Sequence, residues 1–270
     1  MTTDSDPRAG RFALAKRLGR DAGGMALDYF RDRSSLTIDN KRNAHDIVSI
    51  ADREIERMLR ARIAAAFPDD GIWGEEFGRQ PGTSGFEWVV DPIDGTSPFV
   101  FGMPSWCVSI AVMEGDRTFA GTVFAPVTDE LFAAERGGGA FLNDGPLRLG
   151  ADATLANGLI GAGASHRAPP DIAPRFIERL LRAEGMFIRN GSGALMLAYV
   201  AAGRLAGYYE PHINAYDCLA GLLLVEEAGG WIHDPRLWES LEAGGLAVAA
   251  SPSVRDDLLA LIDEDVRPRP

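Results

Sequence analysis

The chain has no run approaching about 18 apolar residues, the length a helix needs to cross a bilayer, so no membrane span is expected. Its first ten residues are polar and carry no apolar leader core, and the expected location is the cytoplasm. Cysteine is scarce: Cys107 and Cys218 lie far apart inside apolar stretches, with no CxxC and no Cys/His ligand spacing. That excludes a disulfide framework and a zinc site, and predicts two buried reduced thiols. Basic stretches with interleaved aromatics are also missing, and 27 basic against 39 acidic residues give a net charge of -12. Nucleic acid and anionic membranes are therefore excluded as expected partners. There is no fixed-period repeat, no low-complexity linker and no D-x-D-x-D-G calcium loop. The one run of three glycines, Gly137 to Gly139, sits between two predicted strands and reads as a turn rather than a phosphate loop.

What is present is enough apolar material for a large core: 46% of 270 residues are hydrophobic. The expected organisation is one domain over 1–270, built as two packed halves, 1–146 and 147–270. Met1 to Gly10 reads as a loose tail. Phe12 to Phe30 carries apolar residues at helical spacing, with a disturbance expected at Gly23-Gly24, and a long helix starts near Ser49 or Asp52. Glu75 and Glu76 lie between glycines and aromatics, which predicts a tight, partly buried turn. Residues 79 to 86 read as a mobile loop. Strands follow at Ser105 to Met113, Thr118 to Phe124, Leu131 to Ala134 and Ala140 to Leu142, the last three as an antiparallel meander. The second half alternates: strands at Leu159 to Ala162, Met186 to Ile188, Leu205 to Tyr209, Gly230 to His233 and Leu246 to Ala250. Its helices are expected at Ile172 to Arg182, Gly193 to Ala202, Tyr216 to Ala228 and Ser253 to Ile262, the last capped by Ser251 or Ser253. Mixed strands followed by alternation predict an α+β fold with helices layered between sheets, rather than a doubly wound one.

The chemistry concentrates at Trp88-Val89-Val90-Asp91-Pro92-Ile93-Asp94-Gly95-Thr96. An apolar strand ends in two carboxylates that can share one hard cation or bridge two, Pro92 removes an N–H, and Gly95 lets the backbone approach an anion. Asp46 precedes a helix start, where a cap or dipole role is the simpler reading. Asp217 likewise suits the first turn of a helix, and Ser192 suits either a helix cap or an oxygen-rich ligand. Glu75, Asp91, Asp94 and Asp217 nevertheless all sit at ends of apolar elements, where a shared pocket would be built. Four carboxylates in one pocket repel by several kcal/mol and need cations. Oxygen ligands without histidine or cysteine select Mg²⁺ before Mn²⁺ or Ca²⁺, and Mg²⁺ commonly works on phosphates. A metal-independent glycosidase built on a carboxylate pair is a rival reading, as is a catalytically silent metal-binding protein.

Gly74-Glu75-Glu76, Trp88 to Thr96, and Tyr216 to Gly230 as Y-D-C-L-A-G-L-L-L-V-E-E-A-G-G together resemble the inositol monophosphatase family of Mg²⁺-dependent, lithium-sensitive phosphatases. Asp46 to Asp52, D-I-V-S-I-A-D, resembles a fourth family motif. The resemblance runs from about residue 12 to 262 and implies a layered α-β-α-β-α sandwich and a homodimer. It implies a first Mg²⁺ on Glu75, Asp91 and the Ile93 carbonyl, a second on Asp91, Asp94 and Asp217, and a weaker third near Glu75. Backbone N–H groups of Gly95 and Thr96 would hold the phosphate, and the Thr96 hydroxyl with Asp46 would activate water. Glu210 would accept hydrogen bonds from inositol hydroxyls, beside a substrate turn at Ser192-Gly193. Tyr216 stands where the family usually has Trp, Ser97-Pro98 replaces a polar-Asn pair, and Ser49 replaces Thr. These departures bear on the leaving-group pocket, so histidinol phosphate, fructose 1,6-bisphosphate and nucleotide bisphosphates stand as alternative substrates.

Overall fold

The computed structural model describes residues 7–32, 38–40 and 47–263. Asp46 lies outside them. Helix α1 (Pro7–Arg31) begins with proline at its first position, where a missing N–H costs nothing, so helix replaces part of the expected tail. It runs unbroken past Gly23-Gly24. A Cβ on Gly23 would lie 2.3 Å from a Phe124 ring carbon, so this glycine serves close packing and not a kink. A short ribbon, β1 (Ile38–Asn40) and β2 (Ile47–Ser49), leads into α2 (Ile50–Ala66).

The first half then lays down β3 (Gly71–Gly74), β4 (Gly78–Gln80), β5 (Phe86–Asp94), the short helix α3 (Thr96–Val100), β6 (Cys107–Glu114), β7 (Arg117–Ala125), β8 (Glu130–Glu135), β9 (Gly139–Leu142) and β10 (Gly145–Leu147). These strands form an eight-stranded sheet in the order β10-β9-β8-β7-β6-β5-β3-β4, antiparallel except for β3 beside β5. The predicted meander is there, extended by one strand. Part of the segment read as a loop, 79–80, is instead paired with β3.

The second half gives β11 (Leu159–Ala162), α4 (Ile172–Arg182), β12 (Met186–Ile188), α5 (Gly193–Ala201), β13 (Gly207–Ile213), α6 (Leu219–Glu227), β14 (Trp231–Ile232), β15 (Gly245–Ala250) and α7 (Arg255–Ala260). Its five-stranded sheet has the order β12-β11-β13-β15-β14. Strand β13 continues through Glu210-Pro211-His212, because a register shift between Glu210 and Ile213 accommodates the proline inside the sheet. The last helix is not capped by either predicted serine: its cap position is Val254, and the Ser253 hydroxyl donates instead to the Ala153 carbonyl.

Packing arranges these parts in five layers, α-β-α-β-α. Helices α1 and α2 cover one face of the large sheet, and α5 and α6 fill the space between the two sheets. Helices α4 and α7 cover the far face of the small one. The sandwiched position explains why α6 is apolar on all sides, with every residue from Leu219 to Val225 buried. It also explains why β6 and β7 read as continuous apolar runs, since both faces of their sheet are covered. The layers approach closely where glycine permits: a Cβ on Gly121 would lie 2.9 Å from the backbone of Ala220 in α6. Asp70 fixes the entry to β5. It accepts from Trp88 Nε1 at 2.8 Å, from Ser84 and from Arg11 of α1.

Candidate active site

Strand β5 delivers the site at its C-terminal end. The parallel register of β3 sets Gly74 opposite Val90, so the next residue, Glu75, comes alongside Asp91. Between Asp91 and Asp94 the pairing with β6 shifts, as a bulge around Pro92 turns the two acids out of strand alternation and toward the cleft. Gly95 then adopts φ 95°, and a Cβ there would lie 2.9 Å from the Ser105 carbonyl, so glycine is required on both counts. The Thr96 hydroxyl lies 3.2 Å from the Ile93 carbonyl and 3.4 Å from Asp52 Oδ1.

Glu75, Asp91 and Asp217 each offer a carboxylate oxygen within 4.8 Å of the others. Asp91 is 1% exposed, with Oδ1 accepting from the Ile93 N–H at 2.9 Å. Asp217 sits in the turn before α6, steadied by Asn214 Nδ2 at 2.9 Å; Asn214 in turn accepts from Arg167. Burial first, then the surrounding carboxylates, push the Asp91 and Asp217 carboxyls well above the usual range. Such a ring is stable when ionised only if positive charge enters it, and its all-oxygen donor set fits a hard divalent cation.

The fourth predicted acid, Asp94, is beside this ring with one oxygen already engaged. Its Oδ2 accepts from Ser192 Oγ at 2.6 Å and from Ala194 N at 2.7 Å, across the gap between the halves. Burial pushes its carboxyl up to about 6, against the pull of these donors. Ser192 thus serves two ends at once: it caps α5 by accepting from Leu195 N and donates to Asp94. Cys107 packs against the same pair and Cys218 lies under Asp217; both thiols are buried and unpaired with each other.

Two connected cavities open from the ring. The outer cleft is lined by Glu75, Asp91, Ile93, Asp94, Gly95 and Thr96. An inner cavity of about 260 Å³ runs on to Gly193, Tyr208, Glu210 and His212, and Asp94, Arg189 and Asp217 face both. Glu210 accepts from the Tyr208 hydroxyl, and burial lifts its carboxyl from the ordinary 4.5 up to about 7. Gly163 faces it at a distance no side chain would permit, since a Cβ there would lie 2.4 Å from Glu210 Cδ. The structure therefore gathers every predicted site residue among those described. It adds Tyr208, Asn214 and Asp52, of which only Asp52 was visible in the sequence, as the last residue of the D-x-V-S-x-x-D stretch.

The model of the Inositol monophosphatase family matches residues 11–266. An inositol-1-monophosphatase of Rhizobium meliloti is 42% identical over 239 residues, covering 87% of this chain and 86% of that protein. A histidinol-phosphatase of Chlorobaculum parvum is 35% identical, covering 95% of this chain and 98% of that protein. The crystal structure of the extragenic suppressor protein SuhB from Bartonella henselae superposes with a TM-score of 0.86 at 32% identity, over 92% of this chain and 96% of that one.

Proposed function

Because the chain belongs to the inositol monophosphatase family, and is thereby a phosphoric monoester hydrolase, we propose that it releases phosphate from inositol monophosphate with Mg²⁺ held by Glu75, Asp91, Asp94, Asp217 and the Ile93 carbonyl. The observation that carries this reading is the ring of Glu75, Asp91 and Asp217 at the mouth of a polar cavity ending at Glu210. Two or three ions are expected, with Mn²⁺ a substitute. Bound there, Mg²⁺ supplies the positive charge that acidifies water and offsets the leaving oxygen in two-metal hydrolysis. The chain's own residues do the rest. The N–H groups of Gly95 and Thr96 orient the phosphate. The Thr96 hydroxyl, with Asp46, would align the attacking water and accept its proton while passing its own to a carboxylate, and Asp52 Oδ1, which accepts from that hydroxyl at 3.4 Å, stands in line to receive it. Glu210, held by Tyr208, accepts hydrogen bonds from substrate hydroxyls, beside the Ser192-Gly193 turn.

A polyol suits this cavity because Glu210 at its inner end accepts from hydroxyl donors; histidinol, whose ammonium the same carboxylate would attract, is separated from it by assay. The test is phosphate release with Mg²⁺ across inositol 1-phosphate, histidinol phosphate, fructose 1,6-bisphosphate and nucleotide bisphosphates. Inositol 1-phosphate is expected to lead, and excess chelator to stop release entirely. Release that survives chelation would falsify the reading, and a lead by histidinol phosphate would transfer it to that substrate. Lithium inhibition and a cytoplasmic location belong to the same proposal; among the described residues, no helix is long and apolar enough to cross a membrane.

A homodimer is also proposed. Strand β12 is an edge of its sheet and exposes Met186 (68%), Phe187 and Ile188. Exposed Phe101 and Met103 belong to the 98–105 segment, which is tied to the adjoining turn by Ser105 Oγ donating to the Asn190 carbonyl at 2.9 Å. A second copy would bury this apolar edge. Sedimentation of Phe187→Asp is expected to show monomer where the parent shows dimer; a parent that sediments as monomer removes the proposal.

A further inference from the structure

Helix α2 carries Asp52, Glu56 and Arg60 at i, i+4 and i+8, a charged row running along the edge of the apolar face made by Ile55, Leu59 and Ile63. The fold turns it inward: Asp52 and Glu56 are both 0% exposed. A buried carboxylate needs donors, and Glu56 finds them in the turn between β3 and β4. Its Oε2 accepts from the Glu76 N–H at 2.7 Å and its Oε1 from the Phe77 N–H at 3.2 Å. Arg60 completes the contact, donating from Nε to Glu56 Oε1 at 2.7 Å and from Nη2 to the Gly78 carbonyl. On the other side of Glu75 the chain passes directly over the same carboxylate: a Cβ on Gly74 would lie 2.1 Å from Glu56 Oε1. The backbone on both sides of Glu75 thus rests on one side chain.

We propose that Glu56 is a positioning residue that fixes the turn presenting Glu75 to Asp91 and Asp217, and so sets the cation affinity of the ring without touching cation or substrate. Charge-assisted bonds to backbone N–H groups are strong and directional, which suits them to hold a short turn in register. Loss of a partner that orients a ligand residue typically costs about 10–100-fold in metal affinity. The inference rests on the reading of Glu75 as a cation ligand.

The experiment is calorimetric titration of the full-length, metal-stripped protein with Mg²⁺, for the parent, Glu56→Gln and Glu75→Gln, beside phosphate release as a function of Mg²⁺. Glutamine keeps the volume of Glu56 but can accept at only one of its two ends, so one turn bond is lost. Glu56→Gln is expected to raise the Mg²⁺ Kd about 10–100-fold, with a smaller loss of kcat at saturating Mg²⁺. A merely structural role would lower Tm and leave the isotherm in place, and that result would overturn the proposal. If Glu75→Gln itself binds Mg²⁺ as the parent does, the reading of Glu75 fails; if only Glu56→Gln does, the positioning role alone fails. Should Glu56→Gln not fold, Arg60→Met removes the clamp on Gly78 while leaving Glu56, and the same shift in Kd, in weaker form, is required of it.

Discussion

Asp91→Asn is expected to lower phosphate release by at least about a thousandfold, the upper range for removing one electrostatic contact to a developing charge, and yet to raise Tm in chelating buffer. Asparagine keeps the shape of the side chain and an oxygen to accept from the Ile93 N–H, so little packing is lost. What disappears is a charge, buried at 1% exposure between Glu75 and Asp217, that the chain alone cannot compensate. Relief of that repulsion stabilises the cation-free fold by about 2–4 °C for each kcal/mol recovered, for a chain of this size class. Asp94→Ala provides the contrast. Asp94 also anchors α5 by accepting from Ser192 Oγ and Ala194 N on one oxygen, which alanine does not replace, so its loss of activity is expected with a loss of Tm. Activity assays and calorimetry in EDTA check both; a destabilised Asp91→Asn would show that the ring is compensated by other means.

Glu210→Gln should divide substrates. For inositol 1-phosphate, KM is expected to rise about 10–100-fold, the scale of a lost charge-assisted hydrogen bond of about 1.5–3 kcal/mol. A phosphate ester with no hydroxyl on its leaving group should be hydrolysed nearly as before, because Glu210 lies at the inner end of the cavity, away from the carboxylate ring. The pH dependence follows from the shift of the Glu210 carboxyl from 4.5 to about 7, caused by burial and only partly offset by the Tyr208 hydroxyl. KM of the parent falls as pH rises through about 7, where Glu210 ionises and accepts substrate hydroxyls; in the glutamine variant that inflection is gone. Stability runs the other way. A carboxyl whose pKa is higher folded than unfolded binds more protons in the folded state, so stability declines as pH rises from about 4.5 to about 7 and stays lower above. Glu210→Gln is therefore more stable than the parent above pH 7, by at most about 3.5 kcal/mol at about 1.4 kcal/mol per pKa unit. A pH-independent KM in the parent would remove Glu210 from substrate binding.

The candidate-site residues were legible because their spacing is local: Asp91, Asp94, Gly95 and Thr96 follow one strand end, and Glu75 follows another. The layered fold was legible for a related reason, since helices buried on both sides and sheets covered on both faces leave continuous apolar runs. The contacts that join these pieces were not. Nothing near Asp94 in the chain indicates that its partners are Ser192 and Ala194, about a hundred residues later. Glu56 falls on the same helix face as Leu59 and Ile63, and only the path of the Gly74–Phe77 backbone shows what a carboxylate finds there. Strand β13 runs past the expected end at Tyr209 because a bulge absorbs Pro211, and Asp217 falls in a turn rather than inside α6, whose apolar run continues past the true helix start.

Asp94 faces the cleft and also accepts from the start of α5, so a ligand that engages Asp94 and the packing of α5 at the interface of the two halves act on one side chain. Linkage is reciprocal: whatever stability a bound ligand lends the interface, the interface lends back as affinity. The close approach of Gly121 to Ala220 is part of that interface and lies on the helix that follows Asp217. A methyl group added there would weaken binding without altering one ligand, so the affinity of this site can be tuned over generations from positions that never meet substrate.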